Sequence, residues 1–228
     1  MINITNECNL ELMARYEDNY FDLAIVDPPY EVVNDSKATG FKNDTFKNVR
    51  KAKEWDFKPP SEYWKELFRV SKNQIIWGFQ YFIDELPPTK SIIIWDKMNG
   101  ANFMNDAELA WNSGKGNNKI FKHAYIGRYH PEPIKIHPTQ KPVKLYEWLL
   151  QNYAQRKCVH KHSESERYLC SDCRNSDVKI LDTHLGSGSI AIACHNMKFD
   201  LTACELDTEY YNSALKRLKQ HTNQQRLF

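Results

Sequence analysis

No apolar run in the sequence approaches the roughly 20 residues that a membrane-spanning helix needs. Segment Met1 to Asn9 also lacks the basic-then-apolar order of a secretory signal. The expectation is a cytoplasmic protein with no membrane partner. Neither sign of charge predominates: 31 Lys and Arg stand against 29 Asp and Glu, for a formal net charge of +2. Binding to nucleic acid would therefore have to come from local basic patches, because the overall charge is too small to imply it. Six cysteines in a cytoplasmic chain of this size do not make a disulfide framework. What the sequence does have is 41% hydrophobic and 26% charged residues over 228 positions. That suits a single globular domain spanning 1–228 with a real apolar core, and it excludes disordered and collagen-like chains.

Phe21 to Val26 is a short apolar run that stops at Asp27-Pro28-Pro29-Tyr30. Prolines cannot continue a ladder, so this reads as a buried strand feeding a rigid loop. Trp64, Leu67 and Phe68 recur at helical spacing within Ser61 to Val70, behind Pro59-Pro60 and with Ser61 as the expected cap. Gln74 to Gly78 and Ser91 to Trp95 read as inner strands. A helix carrying Leu145, Trp148, Leu149 and Tyr153 follows. Next come a strand at Val178 to Leu181, a glycine-rich turn, a helix from Ile190, a strand at Asp200 to Cys204, and a helix carrying Tyr211, Leu215 and Leu218.

Alternating strands and helices predict an α/β fold with a doubly wound parallel sheet, whose ligands sit at the carboxyl ends of the strands. The informative residues are then those just after each strand: Asp27 to Tyr30, Trp77-Gly78, Trp95-Asp96-Lys97, Asp182 and Glu205. Polar stretches Glu31 to Lys58, Asn112 to Arg128 and Gln155 to Asp177 read as loops or insertions.

Asp182-Thr183-His184-Leu185-Gly186-Ser187-Gly188-Ser189 follows a strand and opens a helix, so its glycines let the backbone turn tightly beside a ligand. Glu205 closes the next strand, where a carboxylate can accept both hydroxyls of a ribose. The same glycine pattern fits a dinucleotide fold, and a tight turn leading into a capped helix is the plain structural alternative. Asp27-Pro28-Pro29-Tyr30 is more specific. Its carboxylate and the Pro28 carbonyl, on a stiff backbone, offer two acceptors to an exocyclic amino group, and Tyr30 offers a face for a flipped base.

On these residues the sequence resembles the β-class amino-methyltransferases of DNA, which methylate exocyclic nitrogens from S-adenosylmethionine. The matching stretches are Asp27 to Tyr30, Trp77 to Phe82, Trp95 to Lys97, Asp106 to Trp111, His137 to Pro142 and Asp182 to Ser189. They run from about the first strand to the last helix. Their order is the permuted one, with the catalytic tetrapeptide ahead of the cofactor loop and a target-recognition segment, 112–136, between them.

The resemblance implies a Rossmann-like methyltransferase sheet with Asp27, Pro28, Pro29 and Tyr30 as catalytic residues. It implies a cofactor site at Asp182, Gly186, Ser187, Gly188, Ser189 and Glu205, with Lys141 meeting the methionine carboxylate. Thr183-His184-Leu185 stands where the family often carries Pro-Phe, and His184 is read as a spacer or wall. Aspartate at the first tetrapeptide position is the family's usual adenine form, with cytosine amino methylation as the near neighbour. The implied partner is double-stranded DNA, and a homodimer is expected from the family alone. In the recognition segment Lys115, Lys119, Lys122 and Arg128 interleave with aromatic residues as candidate DNA contacts, and Lys47, Arg50, Lys51 and Lys53 form a second basic run.

Cys158, His160, His162, Cys170 and Cys173 fall in one hydrophilic stretch, 155–177, that looks like an insertion. Cys158, His160, Cys170 and Cys173 supply enough ligands for a tetrahedral structural zinc, and a loop that merely contains them is the alternative. Cys8, Cys194 and Cys204 read as core. Two other classes fit the sequence less well. A nicotinamide-dependent oxidoreductase leaves Asp27 to Tyr30 and His137 to Pro142 unexplained. A non-catalytic nucleic-acid-binding module leaves the intact tetrapeptide unexplained.

Overall fold

The computed structural model of the chain describes residues 1–30, 57–100, 105–124, 136–137, 139–154 and 178–223. Its strands are β1 (Ile2–Thr5), β2 (Leu23–Val26), β3 (Gln74–Trp77), β4 (Ser91–Asp96), β5 (Ala107–Asn112), β6 (Lys119–Lys122), β7 (Lys179–Asp182) and β8 (Asp200–Cys204). They form one sheet in the order β1-β8-β7-β2-β3-β5-β4-β6. The helices are α1 (Asn9–Met13), α2 (Ser61–Val70), α3 (Val143–Tyr153), α4 (Ser189–Met197) and α5 (Thr208–Asn223).

Side chains alternate across the central strands, as the pleat requires. Leu23, Ile25, Ile75 and Trp77 join one core with Leu145 and Leu149 of α3 and Ile190, Ala191 and Cys194 of α4. Ala24, Val26 and Ile76 join a second core with Leu12 and Met13 of α1 and Tyr63, Trp64, Leu67 and Val70 of α2. Both faces of the sheet are thus covered, which is why its inner strands read as continuous apolar runs. Helix α2 places those four buried residues at i, i+1, i+4 and i+7. Each is worth roughly 1.5–3 kcal/mol on burial, so packing, more than propensity, holds the helix.

Several expectations change in detail. The sheet is mixed: β5 runs antiparallel to both β3 and β4, while the remaining pairs are parallel. Strands β1, β5 and β6 and helix α1 are additions, and β6 lies inside the stretch expected to be loop. Pro60, not Ser61, stands at the cap position of α2, and the Ser61 hydroxyl donates 3.1 Å to Glu85. In α5 the buried residues are Tyr210 and Ala214, with Leu218 packed against the same core as Ala214, while Tyr211 and Leu215 are half-buried. Cys194 and Cys204 are buried, whereas Cys8 is half-buried. Among the described residues no helix is long and apolar enough to cross a membrane.

The order of strands has one consequence for function. The chain leaves β2 for β3 on one side and leaves β7 for β8 on the other, so the topology switches between β2 and β7. Ligands of such sheets sit outside the carboxyl ends at that crevice. Asp27 follows β2 and Asp182 ends β7, so both stand at that crevice. Because β5 runs the other way, its first residues, Ala107 and Glu108, return to the same edge opposite Asp96 and Trp95.

Candidate active site

Asp27 follows β2, whose four residues are all buried, and the two prolines behind it end the ladder. One carboxylate oxygen, Oδ2, accepts a hydrogen bond from the Lys141 ammonium. The other, Oδ1, is buried and meets no hydrogen-bond partner among the described residues. Lys141 comes from the turn ahead of α3, where Pro142 caps a helix anchored by Leu145 and Tyr146. That anchoring leaves its side chain only 2% exposed, with the ammonium 5.4 Å from the Trp77 ring centroid. Its second acid partner is Glu108 at 3.3 Å. Glu108 in turn accepts Lys97 at 2.6 Å, and the Lys97 ammonium lies 5.1 Å from the Trp95 ring.

The site edge therefore carries an alternating row, Asp27, Lys141, Glu108, Lys97, in which each interior charge faces two of opposite sign. Burial works against the charged form of Lys141, but the carboxylates of Asp27 and Glu108 hold its pKa well above the ordinary lysine range. Burial pushes the Asp27 carboxyl up, with Lys141 opposing. For Glu108 burial is outweighed by the two lysines, and its pKa falls.

Tyr30 ends the tetrapeptide. Its ring stacks on Tyr81, with centroids 4.7 Å apart and planes 6° from parallel, and meets Phe82 edge-on at 6.5 Å. Tyr81 belongs to a single 3-10 turn, Phe79–Tyr81, which begins at Gly78 with φ +67°.

The second half of the site is the turn after β7. Gly186 and Gly188 have φ of +53° and +71°, conformations that L side chains rarely adopt. A Cβ on Gly188 would also stand 3.1 Å from the Ala214 Cβ, so the glycine lets α5 approach the turn. Glu205, just past β8, accepts the Gly186 N–H at 2.8 Å and the Asp207 N–H at 3.0 Å. Its carboxylate ties the glycine turn to the start of α5. Asp182 is buried and accepts the His184 N–H at 3.0 Å; burial pushes its pKa up to about 8. Ser189 donates to the Lys141 carbonyl at 2.7 Å, and Ser187 sits 3.1 Å from Ser189. His137 packs edge-on against Tyr210 with ring centroids 4.3 Å apart.

His184 is fastened by a polar chain. Its Nε2 lies 3.0 Å from the Asn9 amide nitrogen, its Nδ1 3.0 Å from the Thr183 hydroxyl, and that hydroxyl 2.7 Å from the Tyr63 hydroxyl. Burial lowers its pKa to about 3, so the ring is neutral at pH 7.

The expected residues thus gather on one edge, with two differences. Lys141, expected against a cofactor carboxylate, pairs within the protein with Asp27 and Glu108. The basic residues of the recognition segment are split, because β5 carries the chain to the far edge before β6 brings it back. Only exposed Lys122, opposite Asp96, stands at the site edge; Lys119 pairs with Ile93, three residues earlier, and Lys115 precedes it. Arg128, the run Lys47 to Lys53 and the candidate zinc ligands Cys158, His160, Cys170 and Cys173 lie outside the described residues. Among the described residues no cluster of side chains could hold a metal ion. The site also contains Glu108, Lys97 and Tyr81, to which the sequence reading assigned no role. Their signal was present in the matching stretches, since each lies at a strand end or just past one.

A model of the DNA methylase family, which covers N6 and N4 amino-methyltransferases, matches residues 94–216, more than half of the chain. The chain belongs to that family. It is a DNA methyltransferase of the N6/N4 kind, acting on adenine-N6 or cytosine-N4. Among solved structures it is similar to M1.HpyAVI in complex with SAM. That similarity has 20% identity, covers 95% of this chain and 100% of that one, and has a TM-score of 0.53. It is also similar to the PvuII DNA methyltransferase, described as cytosine-N4-specific, with 12% identity, 97% and 90% coverage and a TM-score of 0.55. At these identities the likenesses speak to the fold. No curated protein matches.

Proposed function

We propose that this methyltransferase transfers a methyl group from S-adenosylmethionine to the exocyclic amino group of adenine in double-stranded DNA. The observation that carries the reading is Oδ1 of half-buried Asp27, an atom that is itself buried and meets no hydrogen-bond partner among the described residues, beside Pro28-Pro29 and Tyr30 at the switch point of the sheet. A buried acceptor without a donor costs on the order of 1–3 kcal/mol, and a binding partner that supplies an N–H removes that cost.

The residues after β7 and β8 fit the cofactor. The Gly186–Gly188 turn follows β7 at the crevice with both glycines at positive φ, and Glu205 stands at the end of the neighbouring strand, where a ribose acceptor is needed. When bound, S-adenosylmethionine supplies a methyl group already activated on a sulfonium. The work of the chain is then to bind the base, align its nitrogen and exclude water. Asp27 Oδ1 and the Pro28 carbonyl accept the two amino hydrogens, which draws the nitrogen out of conjugation with its ring. Tyr30, backed by Tyr81, offers an aromatic surface to a base taken out of the duplex. The nitrogen exchanges one N–H for an N–CH3, and Asp27 is the acceptor in reach of the departing proton. No covalent enzyme intermediate is needed, so no cysteine is called for.

Aspartate at position 27 favours adenine over cytosine. Sequencing, with modification detection, of DNA from cells expressing the chain tests this directly. N6-methyladenine within a fixed sequence is expected. N4-methylcytosine would overturn the base assignment, and unmodified DNA together with inactive purified protein would overturn the transfer.

A further inference from the structure

We infer that Glu108, with Lys97 behind it, is a positioning residue of the transfer site: it holds the Lys141 ammonium on Asp27 Oδ2 and so reserves Oδ1 for the target amine. The inference rests on the reading that Asp27 receives that amine.

An ammonium group has three N–H donors on a flexible four-carbon stem. Facing one carboxylate alone, it gains most by lying across both oxygens. In this site it does not, because a second carboxylate, Glu108, stands 3.3 Å away and draws it aside. The consequence is visible in the unequal oxygens of Asp27: Oδ2 is bonded, and Oδ1 meets no partner among the described residues. Lys97 fixes Glu108 in turn, at 2.6 Å and with a side chain only 16% exposed. Without Glu108, Lys141 is itself an amine in the place meant for the substrate amine.

Glu108 has a second use. Once Asp27 carries the departing proton it is neutral, and Lys141 would be a buried cation without a counter-charge. Uncompensated charge in such a place is costly, and Glu108 supplies the compensation. The charged and titratable groups that act on Asp27 are Lys141, Glu108 and Lys97 together with Asp182, Tyr30 and Tyr146. Of these, Glu108 raises the Asp27 pKa, so removing its charge lowers it.

The test is Glu108→Gln, which keeps size and one acceptor but removes the charge, compared with Lys97→Met and Asp27→Asn. For Glu108→Gln, kcat is expected to fall about tenfold or more, while cofactor Kd stays within about twofold. The acid limb of the pH profile should move to lower pH. Lys97→Met should lower kcat in the same direction but by less. Wild-type kcat in Glu108→Gln, or a fall in kcat that tracks lost urea stability with the acid limb unmoved, would overturn the inference. Full turnover in Asp27→Asn would overturn the underlying reading instead. An inactive Asp27→Asn beside a fully active Glu108→Gln leaves that reading intact and removes only the positioning role.

Discussion

Gly78 and Tyr30 are in such close contact that a Cβ built on the glycine would stand 2.8 Å from both Cδ1 and Cε1 of the tyrosine ring. The glycine follows β3 and the tyrosine ends the tetrapeptide after β2, so this contact continues, past their ends, the pairing of two neighbouring parallel strands. Gly78 also has φ +67°, which makes it the start of the turn that brings Tyr81 under the ring.

Gly78→Ala should therefore displace Tyr30 as well as strain the turn. A methyl group at 2.8 Å from ring carbons forces movement, and the positive φ adds about 1 kcal/mol or more. Transfer to DNA is expected to fall with a raised DNA KM, while cofactor affinity, which we propose rests on the turn after β7, persists. Steady-state kinetics beside calorimetric cofactor titration check this. Unchanged DNA KM would remove the contact from base capture.

Glu205→Ala should weaken cofactor binding by on the order of 1–3 kcal/mol, because it leaves polar groups unpaired. The structure adds a second reason to the ribose role expected at this position. The carboxylate also holds the N–H groups of Gly186 and Asp207, so its loss loosens the glycine turn itself. Isothermal titration at fixed pH measures the change. Affinity equal to wild type would place Glu205 outside the cofactor site.

Much of this site was legible because strand ends are legible. An apolar run that stops at Asp27-Pro28 or at Asp182 marks both a buried strand and the position where its ligand residue emerges. β5 was not, since Ala107 to Asn112 mixes Glu108 with Leu109 and Trp111, and its antiparallel insertion between β3 and β4 is a long-range matter of register. β6 reads KIFK and lies in the polar stretch read as a loop or insertion, where the structure shows an edge strand. The partner of Lys141 was hidden for a different reason. Asp27 lies 114 residues away, and both a cofactor carboxylate and a protein carboxylate satisfy the same ammonium.

His184→Phe tests whether the departure from the family's usual phenylalanine is structural. The histidine ring is neutral at pH 7, its pKa lowered to about 3 by burial. The unfolded chain takes up a proton near pH 6.5 that the folded chain refuses until about pH 3. Wild-type stability should therefore fall as pH drops from 6.5 toward 3. His184→Phe should lose less over that window, while giving up the contacts to Asn9 and Thr183 at all pH values. Urea unfolding at pH 7 and pH 5 separates the two effects. Equal loss in both proteins would show that the ring is not buried neutral.

Asp182 gives the opposite slope. Burial pushes its pKa up to about 8, so between its unfolded value near 3.8 and about 8 the folded state holds a proton that the unfolded state has released. Stability carried by this group is then fully present below pH 3.8 and erodes as pH rises toward 8, because the unfolded state binds fewer protons across that window. Asp182→Asn keeps an oxygen that can accept the His184 N–H but has no proton to lose. Relative to wild type, the variant should gain stability progressively from pH 5 to pH 9. Paired urea titrations at those two pH values measure the gain. A difference between variant and wild type that does not change with pH would mean that Asp182 is ionised in the folded protein throughout, with Lys141 as its effective counter-ion.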